Sequence, residues 1–316
     1  MAQDLREKDA ARETVMTDAS ELIYVAFGID AGYAPHAATT IASIVANAPG
    51  RRFHFMIAQT DLSAGDRTKI ESCAPGQTFS WPTITDPRML AYQASGYLSR
   101  ATLYRLSIPV FSPPEARRVI YLDADLVVLG DLGELNAVDL GGCMIGAVHD
   151  GGTGHDAFVK KWNLDAGHLA YFNSGVLVLD VEKIRAADAF TPVLELIAKH
   201  GSEFTFHDQD ALNIVFWKKW KALEPLWNVQ RRMVYNADCC ATPEENMSWR
   251  KPKIIHFTES VKPWQKEGYH PFIWTYFRYL RRTPYWKDVN AKAGNTPIRA
   301  AGRYVKTALR MARLKA

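Results

Sequence analysis

Asp123 and Asp125 stand two residues apart at the end of the apolar run Val119-Ile-Tyr-Leu122. Two carboxylates that close repel each other, and burying either without a partner is costly. A divalent cation held through oxygen resolves both costs, and Mg²⁺ or Mn²⁺ commonly bridges such a pair to substrate phosphates. The plain alternative is a turn whose Asp side chains accept hydrogen bonds from nearby backbone N–H groups. Spacing alone leaves both open.

The residues leading into the pair are rich in β-branched and aromatic types, which suits a strand in a parallel sheet covered on both faces. The aspartates then fall at its carboxyl end, where open α/β sheets bind ligands. Leu22-Ile-Tyr-Val-Ala-Phe-Gly28 is the expected first strand, followed by a turn at Asp30-Ala-Gly-Tyr33. A helix is expected after Pro35, because Ala37, Ile41, Ile44 and Val45 recur at helical spacing. Residues 53–58 read as a second strand, 63–73 as a short helix capped by Ser63, and 78–84 as a strand interrupted by Pro82. Residues 102–111 are expected to be helical as far as Pro109, presenting Arg105 above the sheet. Further strands are expected at 143–148, 171–180 and 253–256, and helices at 191–200 and 208–217. Alternation is regular in the first half and looser in the second, which points to one mixed α/β sheet rather than two doubly wound domains.

Composition permits a sizeable core: 316 residues, 47% hydrophobic, with nine Trp. Cys73, Cys143, Cys239 and Cys240 form no CxxC and no Cys/His cluster, which argues for a reduced, cytosolic setting and against structural zinc. No apolar stretch reaches the roughly 18 residues of a membrane-spanning helix. Residues 1–20 carry both charge signs without an apolar segment and are expected to be a flexible arm rather than a secretory signal. The end of the chain carries Arg299, Arg303, Lys306, Arg310, Arg313 and Lys315 without an acid. That is +6 against a net charge of +4, so the remainder stands at −2 and no nucleic-acid partner is expected.

The order of the polar signals is more specific than any one of them. Asp30-Ala-Gly-Tyr33, Arg105, Asp123-Ala-Asp125, Asn173-Ser-Gly175, Asp208-Gln-Asp210 and His256 with Lys262-Pro-Trp264 follow one another along the chain. Together with the strings YLDAD, FNSGVLVLD and HDQDALN, they resemble the retaining glycosyltransferases of family 8. The likeness is greatest to bacterial lipopolysaccharide galactosyl- and glucosyltransferases, and it runs over residues 22–264. It implies a single α/β domain of the GT-A (Rossmann-like) type over 21–285, followed by a basic tail over 286–316. It also implies Mn²⁺ or Mg²⁺ held by Asp123, Asp125 and His256, a ligand set that suits Mn²⁺. Asp30 would meet the uracil edge and Tyr33 its face. Gly28, Gly32 and Ala124 would line the nucleotide, with the glycines admitting it close to the backbone. Lys262 would meet the β-phosphate and stabilise the departing UDP. Arg105, Asp150, Asn173, Asp208 and Gln209 would surround the donor sugar.

Several of these positions have a structural alternative. His256 could be a strand histidine bonded to a carbonyl, Lys262 a surface lysine, and Asp30 with Tyr33 a polar turn beside a packed aromatic. Asp208 and Asp210 could be acids favouring a helix N-terminus. Gln209 is a poor nucleophile, so front-face substitution is expected. The acceptor hydroxyl enters where UDP leaves, the leaving phosphate oxygen takes its proton, and the Gln209 carbonyl supports an oxocarbenium-like centre. One departure from the family stands out: its usual glycine after the histidine is replaced in His256-Phe-Thr-Glu259-Ser-Val-Lys262, bringing a carboxylate toward the leaving group.

The expected activity is therefore metal-dependent, retaining transfer of a hexose from UDP-galactose or UDP-glucose to a glycan or glycolipid acceptor, lipopolysaccharide above all. Acceptor contacts are expected from residues 228–250. The alternatives are a sugar-nucleotide-binding protein with little transferase activity, or a relative that glycosylates a protein or polyol. A nucleotidyltransferase would carry a basic loop after strand one, and residues 28–32 contain no Lys or Arg. In a helix over 297–315, the tail's bases would form one stripe, with Ile298, Val305, Leu309 and Ala312 along another side. Such a helix can lie on an anionic inner leaflet, giving a cytoplasmic enzyme peripheral to the membrane. The alternative is a solvated helix packed on the domain.

Overall fold

Alternation along the central strands divides their side chains between two cores. In β4 (Arg118–Leu122), Ile120 and Leu122 enter one cluster, while Val119 and Tyr121 enter the other. β7 (Phe172–Asp180) does the same, with Val176 and Val178 on one face and Leu177 and Leu179 on the opposite one. A strand buried on both faces gains about 1.5–3 kcal/mol from each large apolar side chain it removes from water. That burial is why these runs are continuous rather than alternating. The computed structural model describes residues 21–91, 100–151, 155–165, 170–235, 240, 242–294 and 296, with positions 298, 299, 301, 302, 305 and 309 of the tail. The expected arm over 1–20 lies outside the described residues.

Among the described residues, seven strands form one mixed sheet. Its order is β3 (Thr78–Ser80), β2 (Arg52–Ala58), β1 (Leu22–Gly28), β4, β7, β6 (Ile145–His149) and β8 (Lys221–Ala222). Strands β3, β2, β1 and β4 run parallel, whereas β7 lies antiparallel to both β4 and β6. A smaller sheet joins β5 (Leu126–Val128), β10 (Ile254–His256) and β9 (Val229–Gln230). The chain thus leaves the large sheet after Leu122 and enters the small one at Leu126. Asp123-Ala-Asp125 is the link between them.

A helix over Ala34–Asn47 holds that link through polar groups the apolar pattern does not reveal. The Thr40 hydroxyl donates to the Leu126 carbonyl at 2.7 Å and reaches the Ala124 carbonyl at 3.3 Å. Ser43 Oγ accepts from the Val128 N–H at 2.9 Å. These buried groups are satisfied, so they cost little and fix where the second sheet begins.

Most expected elements are present, with two local differences. Residues 100–107 form a 3-10 segment, and Pro109 lies in the first turn of a new short helix, Ile108–Phe111, instead of ending one. The first turn needs no N–H from its residues, so proline fits there. The strand expected over 78–84 pairs only at Thr78–Ser80, with a lone bridge from Thr83 to Gln59 beyond Pro82. Late in the chain, the helix Trp286–Lys292 returns Val289 to the first core.

Two histidines are sealed beside the helix Ile273–Leu280. His36 stacks on Trp264 with ring centroids 3.5 Å apart, and its Nδ1 lies 2.7 Å from the Tyr276 hydroxyl. His270 Nδ1 accepts the Phe272 N–H at 3.1 Å. Burial pushes the pKa of each down to about 3. The unfolded chain protonates these rings near pH 6.5 and the folded chain does not, so stability is lost as pH falls below 6.5. Urea unfolding at pH 6.5 and 5.5 should show a loss of roughly 1 kcal/mol for each ring across that unit. His270→Leu should remove about half of the decline these two rings cause.

Candidate active site

The topology brings residues 123, 125 and 256 together. His256 ends β10, where it pairs with Leu126 on one side and Gln230 on the other. The Phe257 N–H donates to the Asp125 carbonyl at 2.9 Å, and the Asp123 N–H donates to the Gly175 carbonyl at the same distance. His256 Nε2 then lies 3.1 Å from Asp125 Oδ1 and 3.7 Å from Asp123 Oδ2. One potential ligand atom from each residue falls within 4.8 Å of the others. A Cβ on Gly175 would come within 2.1 Å of His256 Cε1 and 2.6 Å of Asp123 Oδ2. The glycine of FNSGVLVLD is therefore the space in which the three groups meet.

The remaining oxygens are claimed by the protein. Asp123 Oδ1 accepts from the Tyr121 hydroxyl at 2.7 Å and from Arg105 Nη2 at 3.0 Å. Asp125 Oδ2 accepts from Lys262 Nζ at 2.7 Å, and that ammonium also donates to the Phe257 carbonyl at 2.7 Å. Burial would raise the pKa of Asp125, but Lys262 and His256 outweigh it and hold the carboxyl well below its usual range. Two carboxylate oxygens and an imidazole nitrogen, converging with the outer oxygens already bonded, are a donor set that fits a Mn²⁺ or Mg²⁺ ion.

A cavity of about 240 Å³ opens from this cluster. Nine of the expected site residues line it: Arg105, Asp123, Asp125, Asp150, Asn173, Asp208, Gln209, His256 and Lys262. Arg105 is buried and bridges three elements. Its Nε lies 2.9 Å from Asp208 Oδ2, its Nη2 meets Asp123, and its Nη1 donates to the Ser174 carbonyl and hydroxyl. Burial opposes the guanidinium charge, but Asp123 and Asp208 more than compensate and raise its pKa above the ordinary arginine value. Asp208 is pushed up to about 6, first by burial and then by Asp123, against the pull of Arg105.

The Asp208–Val215 helix begins from a strained residue, His207, at φ 45°. A non-glycine residue there costs of the order of 1–3 kcal/mol and needs its surroundings to hold it. Asp210 supplies that hold by accepting the N–H groups of Thr205 and Phe206 and the Tyr171 hydroxyl. Asp210 thus fastens the turn, while Asp208 and Gln209 face the cavity. Gln209 Oε1 accepts from the Ser174 N–H at 2.9 Å and from Asn173 Nδ2 at 3.2 Å. Its amide nitrogen reaches Tyr171 Oη at 3.2 Å and Asp150 Oδ2 at 3.4 Å. Between Ala147 and Val148 of β6 the partner jumps from Leu177 to Asn173, so β7 bulges at residues 174–176, and Asn173 comes within 3.2 Å of Asp150.

The family model for glycosyl transferase family 8 matches residues 24–268. The chain belongs to that family. Over 208 residues it is 33% identical to general stress protein A of Bacillus subtilis strain 168, covering 64% of this chain and 71% of that protein. Over 292 residues it is 26% identical to the lipopolysaccharide 1,2-glucosyltransferase of Escherichia coli K12, covering 90% and 85% respectively. Galactosyltransferase LgtC, solved with donor and acceptor sugar analogues, superposes with a TM-score of 0.71 at 20% identity. That match covers 90% of this chain and all of the other, and it shows the mixed α/β, GT-A-type fold expected from the sequence.

In this family 8 glycosyltransferase, the residues expected at the nucleotide base stand apart from the cavity lining. Asp30 caps a 3-10 turn by accepting the Tyr33 N–H at 3.2 Å. The Tyr33 ring meets Trp264 edge-on at 6.0 Å. Nothing but Asp30 Oδ1, at 3.2 Å, crowds a Cβ on Gly32. At Gly28 a Cβ would come within 2.7 Å of the Ala101 carbonyl, so packing against the 3-10 segment itself requires glycine there. Ala124 is buried, with its carbonyl within reach of Thr40. Sequence reading missed Thr102, Ser174, Phe206, Gln230 and Thr258 in the lining. Ser174 stood inside a recognised motif; the other four carried no spacing signal.

Proposed function

We propose that this family 8 enzyme is a metal-dependent, retaining hexosyltransferase. It would move galactose or glucose from a UDP-sugar to a sugar acceptor on a cell-envelope glycan, with lipopolysaccharide the foremost candidate. The observation that carries the reading is the meeting of Asp123, Asp125 and His256 at the floor of the cavity that also holds the sugar-facing residues. The names of the E. coli relative and of LgtC support a hexose donor and a glycan acceptor.

Asp123, Asp125 and His256 would hold the ion, which when bound neutralises charge on the pyrophosphate as UDP departs. Lys262 adds a fixed positive charge beside it, with N–H capacity beyond its bonds to Asp125 and Phe257. Asp150, Asn173 and Asp208 orient the sugar through its hydroxyls, and Arg105 holds Asp208 in place. Both lone pairs of Gln209 Oε1 are engaged by Ser174 and Asn173, so the group offers a fixed dipole rather than a nucleophile. Front-face substitution suits that arrangement: the acceptor oxygen attacks where UDP leaves, and its proton passes to the departing phosphate oxygen. Asp30 and Tyr33, with Gly28, Gly32 and Ala124 nearby, are assigned to the uridine end.

Incubating the protein with UDP-, GDP- and CMP-sugars should give slow hydrolysis of UDP-galactose or UDP-glucose alone, dependent on Mn²⁺ and stopped by chelation. Metal-dependent UDP affinity with no turnover of any donor would replace the transferase reading with that of a sugar-nucleotide binder.

A membrane surface is the second partner we assign. Ile298, Val305 and Leu309 are helical and 86%, 58% and 61% exposed, and they fall on one face by their spacing. Arg303, Lys306, Arg310 and Arg313 lie outside the described residues. No helix among the described residues is long and apolar enough to cross a membrane. Sedimentation with anionic liposomes should retain the full chain and release one lacking residues 294–316; equal binding by both would remove the assignment.

A further inference from the structure

The groups around His256 dictate which of its ring nitrogens carries hydrogen. The Gly175 N–H donates to Asn173 Oδ1 at 3.0 Å, which fixes that amide with its oxygen toward residue 175. Asn228 Nδ2 donates to the same oxygen at 2.8 Å. Asn228 must therefore present its oxygen the other way, and Oδ1 lies 2.9 Å from His256 Nδ1. A carbonyl oxygen has no hydrogen to give, so Nδ1 is the donor. In the neutral ring that a cation requires, Nε2 then carries the lone pair, 3.1 Å from Asp125 Oδ1 and 3.7 Å from Asp123 Oδ2. Three electron-rich atoms turned toward one another call for a positive charge between them.

We propose that Asn228 is the positioning residue of the cation site: it sets the tautomer and ring angle of His256 and does not touch substrate. The inference rests on the metal reading given above. Asn228 is fully buried, it is absent from the cavity lining, and its side chain has one donor and one acceptor bond, both to site residues. The oxygen that receives its amide belongs to Asn173, whose Nδ2 reaches Asp150 and Gln209 in the sugar pocket. One chain of amides therefore joins the imidazole to the groups that orient the donor. It begins at a backbone N–H, the one donor in the series that cannot be reversed. Partners of this kind, bonded to the far nitrogen of a ligating histidine, typically change metal affinity 10–100-fold when removed.

The test is Mn²⁺ affinity of the full chain, read from loss of the free-ion EPR signal, together with ¹⁴N modulation of the bound ion in pulsed EPR. Asn228→Leu should bind Mn²⁺ roughly 10–100-fold more weakly and lose the imidazole modulation. Asn228→Asp, which still accepts from Nδ1–H but sets an oxygen against Asn173 Oδ1, should keep the imidazole modulation and lose less Mn²⁺ affinity than the Leu variant. Should the Leu variant fail to fold, Asn228→Ser, too short to reach the ring, takes its place. An unchanged affinity in the Leu or Ser variant overturns the role, as does an Asp variant that falls equally far. A parent chain that takes up no Mn²⁺ at all sinks the metal reading itself, which separates the two failures.

Discussion

Asp125→Asn should lower kcat/KM for the UDP-sugar by about 10³-fold or more, with Mn²⁺ affinity falling alongside it. The side chain is buried, with one oxygen toward His256 and the other on Lys262. Asparagine keeps the shape but removes the negative charge that the Lys262 ammonium and a bound cation require. One of its two positions then becomes an NH₂, which either faces the ammonium or takes the place of the oxygen that would hold the ion beside His256. A bound ion supplies several kcal/mol of stabilisation to a charge developing on phosphate, and each 1.36 kcal/mol is a factor of ten in rate. Steady-state kinetics with a parallel Mn²⁺ titration checks both effects. Near-parental turnover in this variant would mean that the Asp123-Ala-Asp125 turn serves the fold and not the chemistry.

The largest loss of stability is expected from Arg105→Met. The guanidinium is buried, ion-paired to Asp123 and Asp208, bonded to Ser174 and stacked 4.5 Å from the centroid of the Tyr121 ring. Methionine fills much of its volume but leaves two carboxylates facing each other without a cation. Breaking a buried pair from one side costs about 3–5 kcal/mol, because the abandoned charge remains. Urea unfolding at pH 7 should show a loss of that size. The double variant Arg105→Met with Asp208→Asn should recover part of it, since one of the two stranded charges is then gone. Arg105→Lys should fall between, keeping the charge but not the planar fork that reaches three partners at once.

The legible part of the chain is the part governed by period and punctuation. β1 has the bounds its apolar run suggested, and Ser63 caps the helix Ala64–Glu71 by accepting the Asp66 N–H. The acid pair, His256 and Lys262 were readable because motif order along the chain narrows the possibilities sharply. What escaped notice depends on partners remote in sequence. Asn228 acts through His256, 28 residues away, and through Asn173, 55 residues away, and no local pattern announces either bond. Thr40 lies in the helix expected after Pro35, and its hydroxyl bonds carbonyls 84 and 86 positions later, which helical spacing does not announce. The space left by Gly175 is equally invisible, since it is defined by what approaches from β10 and not by its own backbone.

Because the acid pair occupies the passage from one sheet to the other, its geometry belongs to neither. Asp123 extends the large sheet, whereas Asp125 and His256 open and close strands of the small one. An ion gripped by all three would act as a rivet across that seam, so loading it should stiffen the two halves against each other. The floor of the sugar pocket would then be firm only while the rivet is in place.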